Sequence, residues 1–277
     1  MKKVDVSKLK LKKARVDDIE IAYKTFGKGY PIVLIMGFSG TMDMWDGRVL
    51  GALSARYKVI VFDSRGIGES TATSKKFSIE LFADDAAGLL DELGIKKAHI
   101  MGWSMGTHVA QELVLRHPGK VNKLVLYSAD PGGKDCVHPE EPLKTVEDTS
   151  GTLRNREERV AGVLFPDRWR KEHPDLREYF PSPKERTPVK NINRQARAMD
   201  EWAGSYRRLG RIKRPMLLIT GTDDAISPAK NSFIIGEKVH GAWVTQIKGG
   251  GHGLMYQYPK DFSAAVLTFL ESGEGQA

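Results

Sequence analysis

The sequence predicts an α/β fold in which a mostly parallel central sheet is flanked by helices. Two short runs, PIVLIMG (31–37) and YKVIVFD (57–63), are continuously apolar, as strands covered on both faces are. Apolar residues recur at helical spacing in the next run, SIELFADDAAGLLDELG, where Ser78 can cap the start of a helix and Gly94 its end. Strands that alternate with amphipathic helices indicate a parallel sheet with helices on both faces.

The same alternation continues along the chain. AHIMGW (98–103) and KLVLYSA (123–129) are predicted strands, and the run THVAQELVLRH (107–117) between them is a predicted helix that Pro118 closes. An earlier run, IEIAYKTFG (19–27), alternates apolar and polar residues with a period of two. That period is typical of a strand with one face in water, so we expect a half-exposed strand there.

The alternation stops between residues 131 and 214. This stretch has frequent prolines, charges and aromatic residues but no convincing strand. Two runs in it have helical periodicity: REERVAGVLFPDRW, which we expect to end near Pro166, and INRQARAMDEWAGSYRRLG, which reads as one continuous helix.

The strand and helix pattern resumes after this stretch. PMLLITG (215–221) and AWVTQIKG (242–249) are predicted strands, and DFSAAVLTFLES (261–272) is a predicted final helix. The sequence therefore predicts a core made of residues 1–130 and 215–277. Residues 131–214 are predicted to form an inserted helical lid, or cap, over the carboxyl ends of the strands.

Composition limits the class of protein. The 277 residues are 40% hydrophobic and 28% charged, which is typical of a globular domain. No window approaches ~18 uninterrupted apolar residues, so no stable membrane insertion is expected. The basic start, MKKVDVSKLKLKK, is not followed by the apolar stretch of a signal peptide, and the single cysteine, Cys136, cannot form an internal disulfide. We therefore expect a cytoplasmic protein.

The net charge of +8 does not indicate a nucleic-acid partner. Residues 1–13 contain six lysines and one aspartate, and the other basic residues are interspersed with acidic ones. A nucleic-acid binder usually concentrates its basic residues on one face, with aromatic residues among them. The charge pattern favours solvated surfaces, and the sequence leaves the oligomeric state open.

Ser104 is a candidate nucleophile because of its neighbours. It lies in Gly102-Trp103-Ser104-Met105-Gly106, where a predicted strand ends and a predicted helix begins. The motif alone does not distinguish an activated serine from a serine in a glycine-rich turn. On a sharp strand-to-helix elbow, however, side chains two residues before and after the serine would crowd the helix and the neighbouring strand. Glycines at both positions remove those side chains.

A serine hydroxyl needs a base, and the base needs an orienting carboxylate. Only His252 follows a predicted strand at its carboxyl end, in GGGHGLMYQYP, and parallel sheets bind their ligands at that edge. The other histidines are interpreted as structural or placed elsewhere: His99, His108 and His117 in packed elements, His138 and His173 in the insertion, and His240 before a strand. The run ITGTDDAISP offers the acid, as either Asp223 or Asp224.

These features together resemble the α/β-hydrolase superfamily over nearly the whole chain. The serine elbow GWSMG, the acid loop GTDDAISP (221–228) and the histidine loop GGGHG occur in the family order of serine, acid and histidine. The family pattern for the acid loop, G-x-x-D-x-x-x-P, selects Asp224 over Asp223. The resemblance implies the family fold and a catalytic triad of Ser104, Asp224 and His252. It also implies structural roles for Asp63 and Arg65 in the loop DSRGIGES (63–70).

One departure from the family pattern concerns the loop after the third strand. Many relatives have His-Gly-x there, whereas this chain has Met36-Gly37-Phe38. The loop contributes a backbone N–H, so the resemblance still implies an oxyanion hole made by the amides of Phe38 and Met105. The missing histidine leaves open how the loop is anchored.

The resemblance implies a serine esterase or lipase that hydrolyses carboxylic esters of small or medium apolar substrates through an acyl-enzyme. Phe38 and Trp103 are predicted to line an apolar substrate pocket, whereas Trp169, Trp202 and Tyr206 are assigned to the packing of the lid itself. No cofactor is implied, and no histidine pair has the spacing of a metal site.

Several alternatives stay open. A cofactor-free haloperoxidase or perhydrolase has a similar serine elbow, and a proline-iminopeptidase-like enzyme shares the triad. A peptidase needs carboxylates aimed at the substrate amine, but Glu157 and Glu158 are interpreted as surface charge. A non-hydrolysing relative that only binds a ligand is the alternative from another class. Dehalogenases and epoxide-opening relatives use an aspartate nucleophile, so Ser104 argues against both.

Overall fold

One mixed sheet forms the centre of the molecule. The computed structural model describes residues 2–137, 139–181 and 187–273, and His138 lies outside these ranges. Within them the sheet has eight strands in the order β1-β2-β4-β3-β5-β6-β7-β8. Their bounds are β1 Lys12–Val16, β2 Ile19–Phe26, β3 Pro31–Ile35, β4 Lys58–Phe62, β5 Ala98–Trp103, β6 Val121–Tyr127, β7 Met216–Gly221 and β8 Trp243–Ile247.

The predicted mostly parallel α/β fold is confirmed. Strand β2 is antiparallel to both of its neighbours, and every other adjacent pair in the sheet is parallel. The parallel strands β3 to β7 are almost completely buried, as their continuous apolar runs require.

Helices cover both faces of the sheet. Helices α1 and α10 pack on one face, and α2, α3 and α8 pack on the other. No helix within the described ranges is long and apolar enough to cross a membrane. The helices are α1 Gly47–Ser54, α2 Ile79–Glu92, α3 Met105–Arg116, α4 Glu140–Glu147, α5 Leu153–Leu164, α6 Asp167–Glu172, α7 Val189–Asp200, α8 Ala229–Lys238, α9 Leu254–Gln257 and α10 Pro259–Glu271.

Strand β2 is not half-exposed, so the expectation from its period of two was wrong. Ala22 and Lys24, on the face expected to meet water, are both buried. The N-terminal segment covers that face, because Val6 packs in the same apolar cluster as Ala22 and its carbonyl accepts a 2.9 Å hydrogen bond from Lys24 Nζ. Lys24 is a polar residue of the alternating pattern, but it is buried and not exposed to water.

The basic N-terminus is part of the fold. The Val4 amide donates to the Gly47 carbonyl at 2.8 Å, and a Cβ added at Gly51 would collide with the backbone carbonyl of Lys2. The chain therefore runs closely along two glycines of α1 before it enters β1, the edge strand that the sequence did not predict.

The segment between β6 and β7 is helical, and residues 131–214 are called the helical insertion below. Helix α5 ends at Leu164, just before Pro166, as expected. The second predicted helix is shorter than expected, because α7 ends at Asp200 and Gly204 has a left-handed φ of 81°. A 3₁₀ turn, Tyr206–Arg211, follows it. Helices α4 and α6 were not predicted.

The loop after β4 has a structural role in the packing of the core. The buried Asp63 carboxylate accepts hydrogen bonds from the amides of Met42 (2.7 Å) and Glu69 (2.9 Å), and burial raises its pKa to about 7. The Arg65 guanidinium donates to both carboxylate oxygens of Asp85 at 2.8 and 2.6 Å. Both side chains are thus occupied by neighbours within the fold.

Candidate active site

Ser104 lies at a strained turn between β5 and α3. Its φ of 54° is on the left-handed side that residues other than glycine rarely adopt. A Cβ added at Gly102 would collide with the carbonyl of Gly106, and one at Gly106 would collide with the carbonyl of Ile35. The two glycines are therefore required for the turn that presents the Ser104 hydroxyl at the end of β5.

His252 and Asp224 form a buried pair on the loops that follow β8 and β7. The ring nitrogen Nδ1 of His252 lies 3.0 Å from each carboxylate oxygen of Asp224. Asp224 Oδ1 also accepts the amides of Ile226 (3.0 Å) and Ser227 (2.8 Å), which fix the carboxylate. Asp223, by contrast, is exposed and accepts a hydrogen bond from the Thr222 hydroxyl at 2.7 Å. The structure thus pairs Asp224, and not Asp223, with the histidine.

An aromatic layer holds the backbone of the histidine loop. The carbonyl of His252 accepts hydrogen bonds from Trp103 Nε1, at 3.2 Å, and from the Tyr127 hydroxyl. The rings of Trp103 and Tyr127 are stacked with centroids 5.8 Å apart, and the Trp103 ring also lies 5.8 Å from the His252 ring. Trp103 therefore supports the histidine as well as lining the cavity described next.

Ser104 and His252 line the same cavity, of about 130 Å³. Among the described contacts there is no hydrogen bond between the Ser104 hydroxyl and the His252 ring. Such bonds are often long in free enzymes and tighten when substrate binds. The rest of the wall is mostly apolar and comes from the strand-end loops and the helical insertion: Met36, Phe38, Met44, Trp103, Leu143, Val146, Val160, Leu164, Phe180, Met199 and Ile226.

The two predicted oxyanion donors belong to two segments that adjoin Ser104. Met105 follows Ser104 as the first residue of α3, and Phe38 lies on the loop after β3. A Cβ added at Gly37 would lie 3.3 Å from the Cβ of Ser104, so this loop passes directly beside the serine. Within the described residues, neither the Phe38 amide nor the Met105 amide donates to a protein acceptor. Both N–H groups therefore stay predicted donors to an oxyanion.

The sequence reasoning missed two residues that contact this loop. Gln195 on α7 is buried and accepts the Ser39 amide at 2.6 Å, and Arg156 on α5 donates to the Ser39 hydroxyl at 3.0 Å. Arg156 forms no ion pair among the described residues, and burial lowers its pKa. The available signal was the position of Gln195, three residues after the apolar Ile192 on the buried face of a helix.

Carboxylates of the helical insertion also reach the cavity. Glu147 and Glu157 both line it, and Glu157 Oε1 is buried without a partner among the described residues. Burial, and then the nearby Asp200 carboxylate, raise the pKa of Glu147. The interpretation of Glu157 as surface charge was wrong, because its side chain faces inward from α5.

A second cavity, of about 320 Å³, is also lined by Ser104. Its wall includes His108, Asp130 and Trp202, and His108 Nε2 lies 2.9 Å from Asp130 Oδ2. Although burial raises the pKa of Asp130, the charge and hydrogen bond of His108 lower it to about 2. Trp202 Nε1 donates to Glu112 at 2.8 Å, so its indole is held by α3.

The remaining predicted structural residues have local partners. His117 Nε2 lies 2.7 Å from Asp84, and His173 stacks on Trp169 with ring centroids 4.1 Å apart. Burial raises the pKa of the Cys136 thiol, which keeps it protonated. Across the part of the chain that the structure describes, no group of three or more His, Cys, Asp or Glu side chains could hold a metal ion.

The family is decided by comparison with known proteins. A family model described as the alpha/beta hydrolase fold matches residues 30–259, which include all three side chains of the proposed triad. The chain belongs to the alpha/beta hydrolase fold family.

Relatives in this alpha/beta hydrolase family have several named activities. "Putative carbamate hydrolase RutD" of Caulobacter sp. strain K31 is 30% identical over 261 residues, covering 88% of this chain and 91% of the relative. "Putative non-heme chloroperoxidase" of Synechocystis sp. is 28% identical over 271 residues, covering 91% and 95%. These relatives support a hydrolase without defining the bond that is cleaved.

Solved structures share the whole fold. An enol-lactonase from Burkholderia xenovorans LB400 has a TM-score of 0.82 at 24% identity and covers 94% of this chain and 99% of its own. A thermophilic esterase from Thermogutta terrifontis has a TM-score of 0.81 at 25% identity and covers 94% and 98%. The sheet and the flanking helices of this chain therefore follow the alpha/beta hydrolase architecture.

Proposed function

We propose that this protein is a serine hydrolase that cleaves carboxylic esters of small or medium apolar acids through an acyl-enzyme on Ser104. One observation carries the proposal. Ser104 and His252 line a single cavity, and Asp224 holds the far nitrogen of the histidine ring. The orientation leaves Nε2 of His252 as the nitrogen that can exchange a proton with the serine.

In the first half of the proposed reaction, the Ser104 hydroxyl attacks the ester carbonyl while His252 Nε2 takes its proton. The carbonyl oxygen becomes an oxyanion, which the amides of Phe38 and Met105 stabilise. Asp224 holds the tautomer with the proton on Nδ1 and stabilises the positive ring. The C–O bond to the alcohol then breaks, and His252 returns the proton to the leaving oxygen.

In the second half, water replaces the alcohol. His252 Nε2 takes a proton from the water, whose oxygen attacks the acyl carbon and forms a second oxyanion at the same two amides. The bond to Ser104 breaks, the serine oxygen regains a proton from His252, and the carboxylic acid leaves. The same three side chains serve both halves, so loss of any one impairs the whole cycle.

We further propose that the helical insertion, residues 131–214, is a lid on a core formed by 1–130 and 215–277. Support comes from the cavity wall, because Leu143, Val160 and Phe180 of the insertion face the loops that carry the triad. A lid excludes water and strengthens the electrostatic interactions inside the cavity.

The substrate class follows from the walls of the cavity. Phe38 and Trp103 belong to a mostly apolar surface around the serine, which suits an apolar acyl chain. An esterase and an enol-lactonase are among the proteins that share the fold. We propose a small-molecule ester as the partner of this protein, and a cytoplasmic location stays a prediction from the sequence.

A second candidate function is that of a peptidase, whose substrate is an acyl donor with an amino group. The observation that favours it is the pair of carboxylates, Glu147 and Glu157, that the insertion places in the cavity wall. An ammonium group beside them would be stabilised by charge. Carbamates and peracids extend the list of acyl compounds to test, because relatives are named as carbamate hydrolase and chloroperoxidase.

The experiment measures hydrolysis of p-nitrophenyl esters with acyl chains from acetate to laurate by wild type and Ser104→Ala. We expect turnover that is highest for short chains, and a loss of roughly 10⁵-fold or more in the variant, because the triad acts as a unit. A fluorophosphonate should label wild type at Ser104 and leave the variant unlabelled. The comparison assays measure hydrolysis of proline p-nitroanilide, hydrolysis of phenyl carbamate and formation of peracetic acid.

Three outcomes contradict the proposal. Hydrolysis by Ser104→Ala at the wild-type rate would remove the serine from the mechanism. Failure of both turnover and labelling in folded wild type would favour the ligand-binding relative. Preference for proline p-nitroanilide by more than tenfold in kcat/KM would select the peptidase.

A further inference from the structure

The turn that carries the Phe38 amide is tight and strained. Ser39 adopts a left-handed φ of 55°, which is unfavourable for a residue with a side chain, and the Gly40 amide donates to the Gly37 carbonyl at 3.2 Å. The Met36 side chain packs against Gly40 in place of the histidine of many relatives. Such a turn persists only if surrounding groups hold it.

Two side chains of the helical insertion hold this turn at Ser39. Gln195 Oε1 accepts the Ser39 amide at 2.6 Å, and Arg156 Nη2 donates to the Ser39 hydroxyl at 3.0 Å. Gln195 lies on α7 and Arg156 on α5, so both tethers come from outside the sheet that carries the triad.

The Gln195 contact is built into the fold. Ile192, Gln195 and Ala198 are the buried positions of α7 and share one face of that helix. Gln195 is 1% exposed. The side-chain oxygen must face Ser39, because a backbone N–H can only donate.

The geometry links this hydrogen bond to the oxyanion hole. Peptide units are planar, so the unit that carries the Ser39 N–H and the unit that carries the Phe38 N–H meet at the Cα of Phe38. When Gln195 fixes the first unit, it limits the rotation that would turn the second away from Ser104. A backbone donor stabilises an oxyanion only when it points at the developing charge.

We propose that Gln195 and Arg156 are positioning residues that set the direction of the Phe38 N–H, so that the helical insertion completes the oxyanion hole. This inference rests on the proposed function. It also answers how the loop is anchored without the histidine, because the anchoring comes from α5 and α7 instead of from the loop itself.

The experiment compares Gln195→Leu with Gln195→Glu, which keeps an acceptor oxygen. For p-nitrophenyl butyrate we expect Gln195→Leu to lower kcat by roughly 30- to 300-fold while KM changes less than threefold, as when one oxyanion donor is misplaced. Gln195→Glu should recover kcat to within about fivefold of wild type. Arg156→Met should lower kcat by about fivefold, and Arg156→Lys should restore it, because lysine also donates.

A second measurement separates positioning from general loosening of the fold. A trifluoromethyl ketone forms a tetrahedral oxyanion on the serine, so its affinity should fall in Gln195→Leu by about the same factor as kcat. Affinity for the matching secondary alcohol should stay within twofold. Asn193→Leu, at an exposed position on the same helix, is the control for changes in α7 and should match wild type in every assay.

Hydrogen exchange tests the contact without any activity. The Ser39 amide should exchange faster in Gln195→Leu than in wild type or Gln195→Glu. Wild-type kcat and ketone affinity in folded Gln195→Leu would overturn the inference, and the proposed function would stand as long as Ser104→Ala is inactive. Absence of ester turnover in wild type would overturn the proposed function and this inference together.

Discussion

Two histidine–aspartate pairs adjoin Ser104, and they are built in opposite orientations. His252 uses Nδ1 to contact Asp224, whereas His108 uses Nε2 to contact Asp130. The nitrogen left over on His252 belongs to a ring that lines the cavity of the serine. The nitrogen left over on His108 is buried without a partner among the described residues. Both histidines lie beside a carboxylate, so it is the direction of the free nitrogen that supports His252, and not His108, as the proposed base.

The supports of the two rings differ as well. His108 lies within α3 and packs on the Trp202 indole with centroids 4.5 Å apart, so helix geometry fixes it four residues after the serine. His252 lies on a loop whose backbone carbonyl is held by Trp103 and Tyr127. A loop between glycines can place a ring where no helix position reaches.

The same substitution at His252 and at His108 tests most directly whether the two histidines have different roles. We expect His252→Gln to lower kcat for p-nitrophenyl butyrate by roughly 10⁵-fold, because the serine loses its base. His108→Gln should stay within about tenfold of wild type, since its amide can still donate to Asp130. Steady-state kinetics, with circular dichroism as the control for folding, measures both. Equal losses in the two variants would show that the orientation argument is wrong.

The two neighbouring aspartates of the acid loop sharpen the comparison. Asp224→Asn should lower kcat by roughly 10⁴-fold, because the amide no longer holds the Nδ1 proton of His252 in the required tautomer. Asp223→Asn should leave kcat within twofold, since Asp223 is exposed and contacts Thr222 instead. The assay is the same. A large loss in Asp223→Asn with an active Asp224→Asn would reverse the assignment.

A third buried histidine has no carboxylate and extends the comparison to stability. Both ring nitrogens of His99 lack a partner among the described residues, and burial, followed by the charge of Lys123, lowers its pKa to about 4 from 6.5. The folded state resists protonation, so stability is lost as pH falls from 6.5 towards 4. The loss is at most about 3 kcal/mol for this shift.

His99→Phe removes that contribution. We expect the difference in free energy of unfolding between His99→Phe and wild type to grow in favour of the variant as pH falls from 6.5 to 4. Urea titrations at four pH values measure it. Asp63 has a raised pKa in both proteins, and its contribution to stability changes with pH in the opposite direction to that of His99. Because this contribution is the same in variant and wild type, it cancels in the difference between their free energies of unfolding. A difference that is independent of pH would contradict the prediction.

Much of the candidate site could be predicted from the sequence, because its reactive side chains directly follow the ends of predicted strands. Apolar runs located β5 and β7, the run AWVTQIKG located β8, and the ends of those strands located Ser104, Asp224 and His252. Choosing between Asp223 and Asp224 needed the family pattern, because either carboxylate fits a turn. The structure adds the contact of Asp224 with the ring, which composition does not contain.

The errors arose where a distant segment supplies the environment. Lys24 looked solvent-exposed until the N-terminal segment covered its face of β2. Glu157 looked like surface charge because helical periodicity in α5 does not say which loops lie opposite. Gln195 was missed because its partner, Ser39, is 156 residues away in the chain. Sequence patterns over a few residues predict local structure, whereas the environments of Lys24, Glu157 and Gln195 depend on contacts with residues distant in the chain.

The glycines around His252 limit how freely the insertion can be exchanged. The Gly253 amide donates to the Leu164 carbonyl at 2.9 Å, and Cβ atoms at Gly251 and Gly253 would lie 2.6 Å from that carbonyl and from the Phe165 ring, respectively. The histidine loop thus packs closely against the end of α5. A chimaera that replaces the insertion with helices from another hydrolase must reproduce this helix end, so the helical insertion and the histidine loop form one module for recombination.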